Sequence, residues 1–347
     1  MHINFLGEYI RVIFYPFLIC LLLAGCNQAE KTETIRLDGS TMGTSYSVQL
    51  VKKHNAIIDD ALSGEIKDIL DLVDSTMSTW RSDSELSRIN KKSGNQWINV
   101  SPDLLFLLNM ALLISDKTDG AFDITVDPLI ELWGFSSNEP INTIPNEQSI
   151  KDRMQQVGYK NLIVDIQRGA IKKKIPIRLN LSAIAKGFAV DKIAEHLDKK
   201  GFAAYLIEVG GELRFKGNKP DGVGWKIAIE TPAAGDRQPH RVIGVSNNSI
   251  ATSGDYRNFY EIKGRHYSHT IDPVTGRPVT HNLASVTIID KNTAYADALA
   301  TAIMVMGFER GYEFCKLNKI PAYFIIRKDG RFISKYTHQM KKYFIEG

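Results

Sequence analysis

Residues 176–211 read PIRLNLSAIAKGFAVDKIAEHLDKKGFAAYLIEVGG, and the way the chain continues from them decides the fold class. Residues 176–181 and 203–209 carry strand patterns, and between them a helix runs from about Ala183 and closes before Gly201. A strand, a helix and a strand would begin a parallel, doubly wound sheet if the alternation went on. It does not go on. Strand patterns follow at 225–231, 241–246 and 284–289, and only then comes a helix over about 293–306, ending at Gly307. A closing hairpin is predicted from Phe324 to Tyr336 around Asp329-Gly330, a favoured two-residue turn.

Upstream, Thr44 to Val51 alternates and β-branches like a strand, and a short strand is predicted at 162–166. From Ile57 to Met77 apolar residues recur at three- and four-residue spacing, the mark of an amphipathic helix. Ser101-Pro102-Asp103 opens another helix, with a cap, a first-turn proline and an early acid, which runs to about Lys117 and stops at Asp119-Gly120. Residues 140–160 are polar and turn-rich and read as a hinge or surface excursion. The expected class is α+β: mixed or antiparallel sheets with packed helices in a two-lobed body.

The 347 residues are 44% hydrophobic and 24% charged, enough for a sizeable core. The formal charge is only +4, and the densest basic run is Lys172-Lys173-Lys174, so the composition speaks against nucleic acid as a partner. At the N-terminus, Arg11 precedes an apolar stretch from Val12 to Leu23, too short for an ordinary transmembrane helix. It ends at Leu23-Ala24-Gly25-Cys26, which resembles a lipobox. Residues 1–25 are therefore expected to be a lipoprotein signal peptide, Cys26 the acylated first residue, 26–36 a polar tether and 37–347 one domain. Such a protein is exported and lipid-anchored at the periplasmic face of a bacterial membrane. Asn27 does not choose between inner and outer membrane, and the inner is favoured. Cys315 remains as a lone thiol in an apolar helical context and reads as a core residue.

Common nucleotide signatures are missing: there is no Gly-x-Gly-x-x-Gly after a first strand and no Walker A lysine. Gly210-Gly211 reads as a turn. His266 and His269, on a predicted strand from Tyr267 to Ile271, would point to opposite faces and make a poor metal pair. Asp297 and Thr301 lie four apart on the 293–306 helix and share a face. A carboxylate with a hydroxyl is a hard-oxygen pair suited to Mg²⁺, though on spacing alone a solvated or N-terminal polar face is the better reading.

Seven short motifs then occur in order: Thr41-Met42-Gly43-Thr44, Met77-Ser78-Thr79-Trp80-Arg81, Gly120-Ala121-Phe122-Asp123, Asn180-Leu181-Ser182-Ala183-Ile184-Ala185-Lys186-Gly187, Glu208-Val209-Gly210-Gly211-Glu212, Ser268-His269-Thr270-Ile271-Asp272-Pro273 and Ala296-Asp297-Ala298-Leu299-Ala300-Thr301. Together they resemble the ApbE family, the FAD:protein FMN transferases, from about residue 37 to 340. The resemblance implies that FAD is the substrate, that AMP leaves, and that FMN is joined by a phosphoester to a Ser or Thr of an acceptor protein. A subunit of a membrane redox complex is the implied acceptor. It further implies that Met42 and Trp80 contact the flavin, and that Ala121, Phe122, Asp123, Asn180, Lys186 and Ile271 line the nucleotide pocket. Mg²⁺ would be held by the Ala183 carbonyl, Asp297 and Thr301.

Many relatives carry Asp where this chain has Asn180, which removes one negative charge near the phosphates. His269 is the candidate general base, because imidazole titrates near neutrality, and Asp272 is its competitor. Two other readings share these residues: a Mg²⁺-dependent pyrophosphatase that gives FMN and AMP, and a flavin-binding lipoprotein without catalysis.

Overall fold

In the computed structural model, residues 32–53, 61–136, 143–232, 238–256, 259–262 and 265–345 are described. The expected signal segment, Cys26 and residues 57–60 of the first predicted helix lie outside them. Along the chain run β1 (Thr32–Thr41), β2 (Thr44–Lys53), α1 (Ala61–Met77), α2 (Glu85–Asn90), β3 (Trp97–Asn99) and α3 (Pro102–Lys117). Then come α4 (Asp127–Leu132), α5 (Glu147–Met154), β4 (Leu162–Asp165), β5 (Ala170–Lys173) and α6 (Ala185–Lys199). The second half holds β6 (Tyr205–Val209), β7 (Glu212–Lys216), β8 (Trp225–Glu230), β9 (Pro239–Val245), β10 (Ser249–Gly254), β11 (Phe259–Ile262), β12 (Arg265–Ser268), β13 (Ile271–Asp272) and β14 (Arg277–Pro278). It closes with β15 (Leu283–Asp290), α7 (Thr293–Leu317), β16 (Ala322–Lys328) and β17 (Arg331–Tyr336).

The centre is an eight-stranded sheet of order β1-β2-β6-β7-β10-β15-β16-β17, paired antiparallel throughout. Period-2 side-chain alternation divides its residues between two cores. In β6, Tyr205, Ile207 and Val209 face the larger core with α1, α6 and α7, while Leu206 faces the smaller. In β16, Phe324 and Ile326 take the helical side, and Tyr323 and Ile325 the other. The smaller core is closed by the β8–β9 ribbon through Trp225, Ile229, Ile243 and Val245. Both faces of the sheet are thus covered, and β15 is buried along nearly its whole length. The α+β class holds, with an antiparallel main sheet.

Four local expectations are corrected. Residues 176–181 form no strand: the Leu179 amide donates to the Asn90 side chain at 2.8 Å and the Asn180 amide to the Ile124 carbonyl at 2.7 Å, so no ladder partner is left for them. The turn-rich stretch 140–160 contains α5, capped by the Asn146 side chain on the Ser149 amide. The predicted strand Tyr267–Ile271 is interrupted at 269–270, between β12 and β13. Residues 32–36, expected in the tether, pair with β2 as the first half of β1.

Two sequence signals are met. Asp329 and Gly330 both have positive φ (50° and 71°), the primed turn that joins β16 to β17. Gly307 (φ 74°, ψ −178°) breaks α7 where the helix was predicted to end. A second helical segment, which the sequence reading missed, continues to Leu317. Beside the break, the His281 ring meets the Met304 carbonyl oxygen at 2.6 Å.

Candidate active site

The two helices that frame the site are tied together at their N-termini. Asp191 of α6 accepts from the Thr293 amide (3.0 Å), the Thr293 hydroxyl (2.8 Å) and the Ala294 amide (2.9 Å), so one helix caps the next. Arg214 on β7 pairs with the same carboxylate at 2.6 Å. Gly187 makes the contact close: a Cβ there would stand 2.5 Å from the Thr293 carbonyl oxygen. One turn along α7 from this contact is Asp297, 3% exposed. Its Oδ2 accepts from the Gly187 amide at 3.1 Å and lies 3.7 Å from Lys186 Nζ. No protein donor reaches Oδ1 among the described residues. With its amide turned to Asp297, Gly187 leaves the Ala183 carbonyl outside the α6 ladder, which starts at Ala185. Thr301, the next residue on that face, has its hydroxyl 3.3 Å from Ser253 Oγ.

These residues open into a cleft of about 2010 Å³. Its lining includes every site residue expected from the motifs: Met42, Trp80, Ala121, Phe122, Asp123, Asn180, Ala183, Lys186, His269, Ile271, Asp297 and Thr301. Only Cys26, outside the described residues, is missing.

Local folding explains how each arrives. Met42 and Gly43 form the two-residue turn of the β1–β2 hairpin, with φ of 46° and 71°. A methionine held in the left-handed region is unusual, and it places the thioether at the cleft rim. Trp80 follows α1 and its residue is 69% exposed, an uncovered indole beside a cavity. Phe122 and Ala121 are buried wall. Both oxygens of Asp123 are taken by protein: Oδ1 by the Thr125 amide (2.7 Å) and hydroxyl (2.6 Å), Oδ2 by the Tyr159 amide (2.8 Å). Burial pushes this carboxyl up while the Thr125 donors hold it down. Asp123 therefore shapes the wall loop, a role the motif did not specify.

Asn180 uses both ends of its amide. Nδ2 donates to Asp127 Oδ1 at 3.0 Å, and Oδ1 accepts from the Ser182 amide and hydroxyl at 3.0 and 2.7 Å. An aspartate here would set a second carboxylate against Asp127, so asparagine suits this neighbourhood. Arg178 also pairs with Asp127, and with Glu131 at 2.7 Å. Neither Asp127 nor Arg178 was singled out from the sequence, since isolated charges carry no motif.

His269 lies between β12 and β13, its ring edge-on to Phe135 with centroids 6.4 Å apart. Phe135 in turn stacks on Tyr260 at 4.4 Å. His266 does not line the cleft and stacks on Phe259 instead. Asp272, the competing base, spends its carboxylate on its own turn: Oδ1 on the Val274 amide (2.9 Å) and Oδ2 on the Thr275 hydroxyl (3.0 Å).

Glu212 is the clearest residue that the sequence reading passed over. It follows the Gly210-Gly211 turn, is 4% exposed, and accepts from Lys186 Nζ at 3.1 Å through Oε1. Its Oε2 is buried with no hydrogen-bond partner among the described residues. Burial pushes the Glu212 carboxyl up, against the pull of the Lys186 ammonium. Burial lowers the Lys186 pKa, but the Asp297 and Glu212 carboxylates outweigh it and hold it above the ordinary lysine value. The ammonium thus stays charged between two acids. The signal was an acid closing a motif just past a double-glycine turn.

The fold and cleft define an α+β protein with one large ligand groove, in which a buried carboxylate, hydroxyls and a charged lysine converge. The chain belongs to the ApbE family, whose profile matches residues 42–324. It is 41% identical over 313 residues to the FAD:protein FMN transferase of Vibrio cholerae, covering 90% of this chain and 92% of that one. The Haemophilus influenzae protein of the same name is 37% identical over 330 residues, covering 93% and 95%. The solved flavin transferase ApbE from Vibrio cholerae superimposes with a TM-score of 0.83 at 38% identity, over 90% of this chain and all of that one. Pseudomonas stutzeri flavinyl transferase ApbE, in its apo form, gives 0.83 at 35% identity, over 91% and 98%.

Proposed function

We propose that this chain is an FAD:protein FMN transferase that moves FMN from FAD to a Ser or Thr hydroxyl of an acceptor protein and releases AMP. The observation that carries the reading is the convergence of the motif residues, from strand turns, helix starts and loops far apart in sequence, on one cleft. At about 2010 Å³ it is roughly twice the ~1,000 Å³ upper end of small-molecule pockets, room for a dinucleotide and an acceptor segment together.

In this reading Met42 and Trp80 hold the flavin through a polarizable thioether and an aromatic face. Ala121, Phe122, Asp123, Asn180 and Ile271 shape the nucleotide pocket, and Lys186 sets a positive charge against the pyrophosphate. The acceptor oxygen attacks the phosphorus on the FMN side, His269 takes its proton, and the P–O bond to the AMP phosphate breaks. Asp297 Oδ1, the Thr301 hydroxyl and the Ala183 carbonyl make a hard-oxygen set that fits Mg²⁺. When bound, Mg²⁺ supplies charge neutralisation at the pyrophosphate.

The same proposal places the protein outside the cytoplasm, anchored by lipid on Cys26 to the periplasmic face of a membrane, where a redox-complex subunit is the acceptor. Mass spectrometry of the mature N-terminus checks the anchor: acylated Cys26 is expected, and an unmodified start beyond it would refute the anchor.

The activity is tested with FAD, Mg²⁺ and a Thr-bearing acceptor, read as covalent flavin fluorescence on a denaturing gel with AMP measured in parallel. Asp297→Ala should abolish AMP release in a folded protein. His269→Ala should still bind FAD and slow transfer by roughly 10²–10⁴-fold. AMP without labelled acceptor would make the protein a pyrophosphatase, and full labelling by Asp297→Ala with Mg²⁺ chelated would remove the mechanism.

A further inference from the structure

We infer that Glu212 is a positioning residue: its buried carboxyl anchors the Lys186 ammonium and so keeps Lys186 from closing onto the Asp297 carboxylate that a divalent cation needs. The inference rests on the transferase reading, with Asp297 as a cation ligand.

Three observations carry it. First, Lys186 Nζ lies 3.1 Å from Glu212 Oε1, a hydrogen bond, and 3.7 Å from Asp297 Oδ2, a longer ion pair, so Glu212 holds the ammonium more closely than Asp297 does. Second, the turn that supplies Glu212 also makes room for the lysine stem, because a Cβ at Gly210 would stand 3.0 Å from Lys186 Cδ. The stem of Lys186 passes over Gly210 and its head meets Glu212. Third, Glu212 Oε2 is buried without a partner among the described residues, an arrangement that costs stability and that a purely structural ion pair would avoid.

The consequence is a competition. Among the described residues no group of three or more His, Cys, Asp or Glu is placed to hold a metal, so a cation here depends on Asp297. An ammonium and a divalent cation seek the same carboxylate. Released from Glu212, the flexible end of Lys186 would move the short way onto Asp297 and hold its charge. Anchored, it leaves Oδ1 open and keeps its own charge directed at the phosphates.

The test is Mn²⁺ alone, titrated into the full chain and counted by the electron paramagnetic resonance of the free ion, with no flavin present. Glu212→Leu, close in shape, should weaken Mn²⁺ binding about 10-fold through the competing ammonium. Glu212→Gln, which keeps an acceptor oxygen for Lys186, and the double variant Glu212→Leu/Lys186→Met, which removes the competitor, should each stay within about threefold of wild type. Unchanged affinity in Glu212→Leu, or a loss that the second substitution does not relieve, overturns the inference. If Glu212→Leu does not fold, Lys186→Met alone decides: binding at least as tight as wild type supports competition, and weaker binding overturns it. Asp297→Ala separates the two levels, since wild-type Mn²⁺ binding there removes the metal reading and the inference with it.

Discussion

The backbone amide of Gly187 donates to the carboxylate of Asp297 across 3.1 Å, joining the first turn of α6 to the second turn of α7. This bond orients the acid, leaves its other oxygen without a protein donor among the described residues, and exists only because α6 has no side chain at 187. A Cβ there would stand 2.5 Å from the Thr293 carbonyl oxygen and 2.7 Å from Ala294 Cα. Gly187→Ala must therefore push the helices apart. A loss of about 1–3 kcal/mol is expected by chemical denaturation, with AMP release falling in the protein that remains folded. Wild-type turnover in a folded Gly187→Ala would show that the helix contact does not set the acid.

Asp191 is predicted to matter for stability before chemistry. Asp191→Ala leaves the Asn292 cap on the Tyr295 amide but takes the acceptor from the Thr293 and Ala294 amides and the 2.6 Å partner from Arg214. The expected loss is about 2–4 kcal/mol, visible as a lower urea midpoint with an unchanged slope. A shift under about 0.5 kcal/mol would mean water replaces the cap without penalty.

Met42 and Trp80 allow flavin binding to be separated from folding. Trp80→Ala removes an exposed ring and should leave stability nearly unchanged while weakening FAD, with ~0.5–1.5 kcal/mol of stacking lost beyond area. Met42→Gly relieves a left-handed φ of 46° and should hold or raise the melting temperature while lowering FAD affinity. Flavin fluorescence quenching and thermal melts on the same samples give both numbers. Unchanged quenching by both variants would place the flavin elsewhere.

Cys315 should behave as a buried apolar group. Burial pushes its thiol up to about 12 from an ordinary 9.0. The folded state then keeps its proton where the unfolded thiol has lost it, so this contribution is complete below about pH 9 and is lost as pH rises toward 12. A thiol reagent at pH 8 should label Cys315 only after denaturant is added. Fast native labelling would contradict its burial.

Legibility followed the range of the interaction. The Asp329-Gly330 hairpin and the break at Gly307 were readable because backbone conformation at those residues depends on the residues themselves. The strand predicted at 176–181 failed for a non-local reason: its amides are claimed by Asn90 and by the Ile124 carbonyl, both distant in sequence. Residues 140–160 looked like a loop because their polar side chains hide a short helix whose apolar contact is Ile150. At the site, Asp297 and Thr301 were visible as a pair four apart, whereas Glu212 was not, since nothing near it in sequence shows that it meets Lys186.

By itself the sequence determined the α+β class, the motif residues and their order, and the membership they imply, because periodicity, turn chemistry and short motifs are local properties of a chain. Only the tertiary structure decided that those motifs share one cleft, that Asp123 spends its carboxylate on Thr125 and the distant Tyr159 amide and Asp272 on its own turn, and that Lys186 stands between Glu212 and Asp297. Those outcomes depend on which distant groups compete for the same donor or acceptor. The competition is settled by packing, most directly by the missing Cβ at Gly187 that lets α6 and α7 meet.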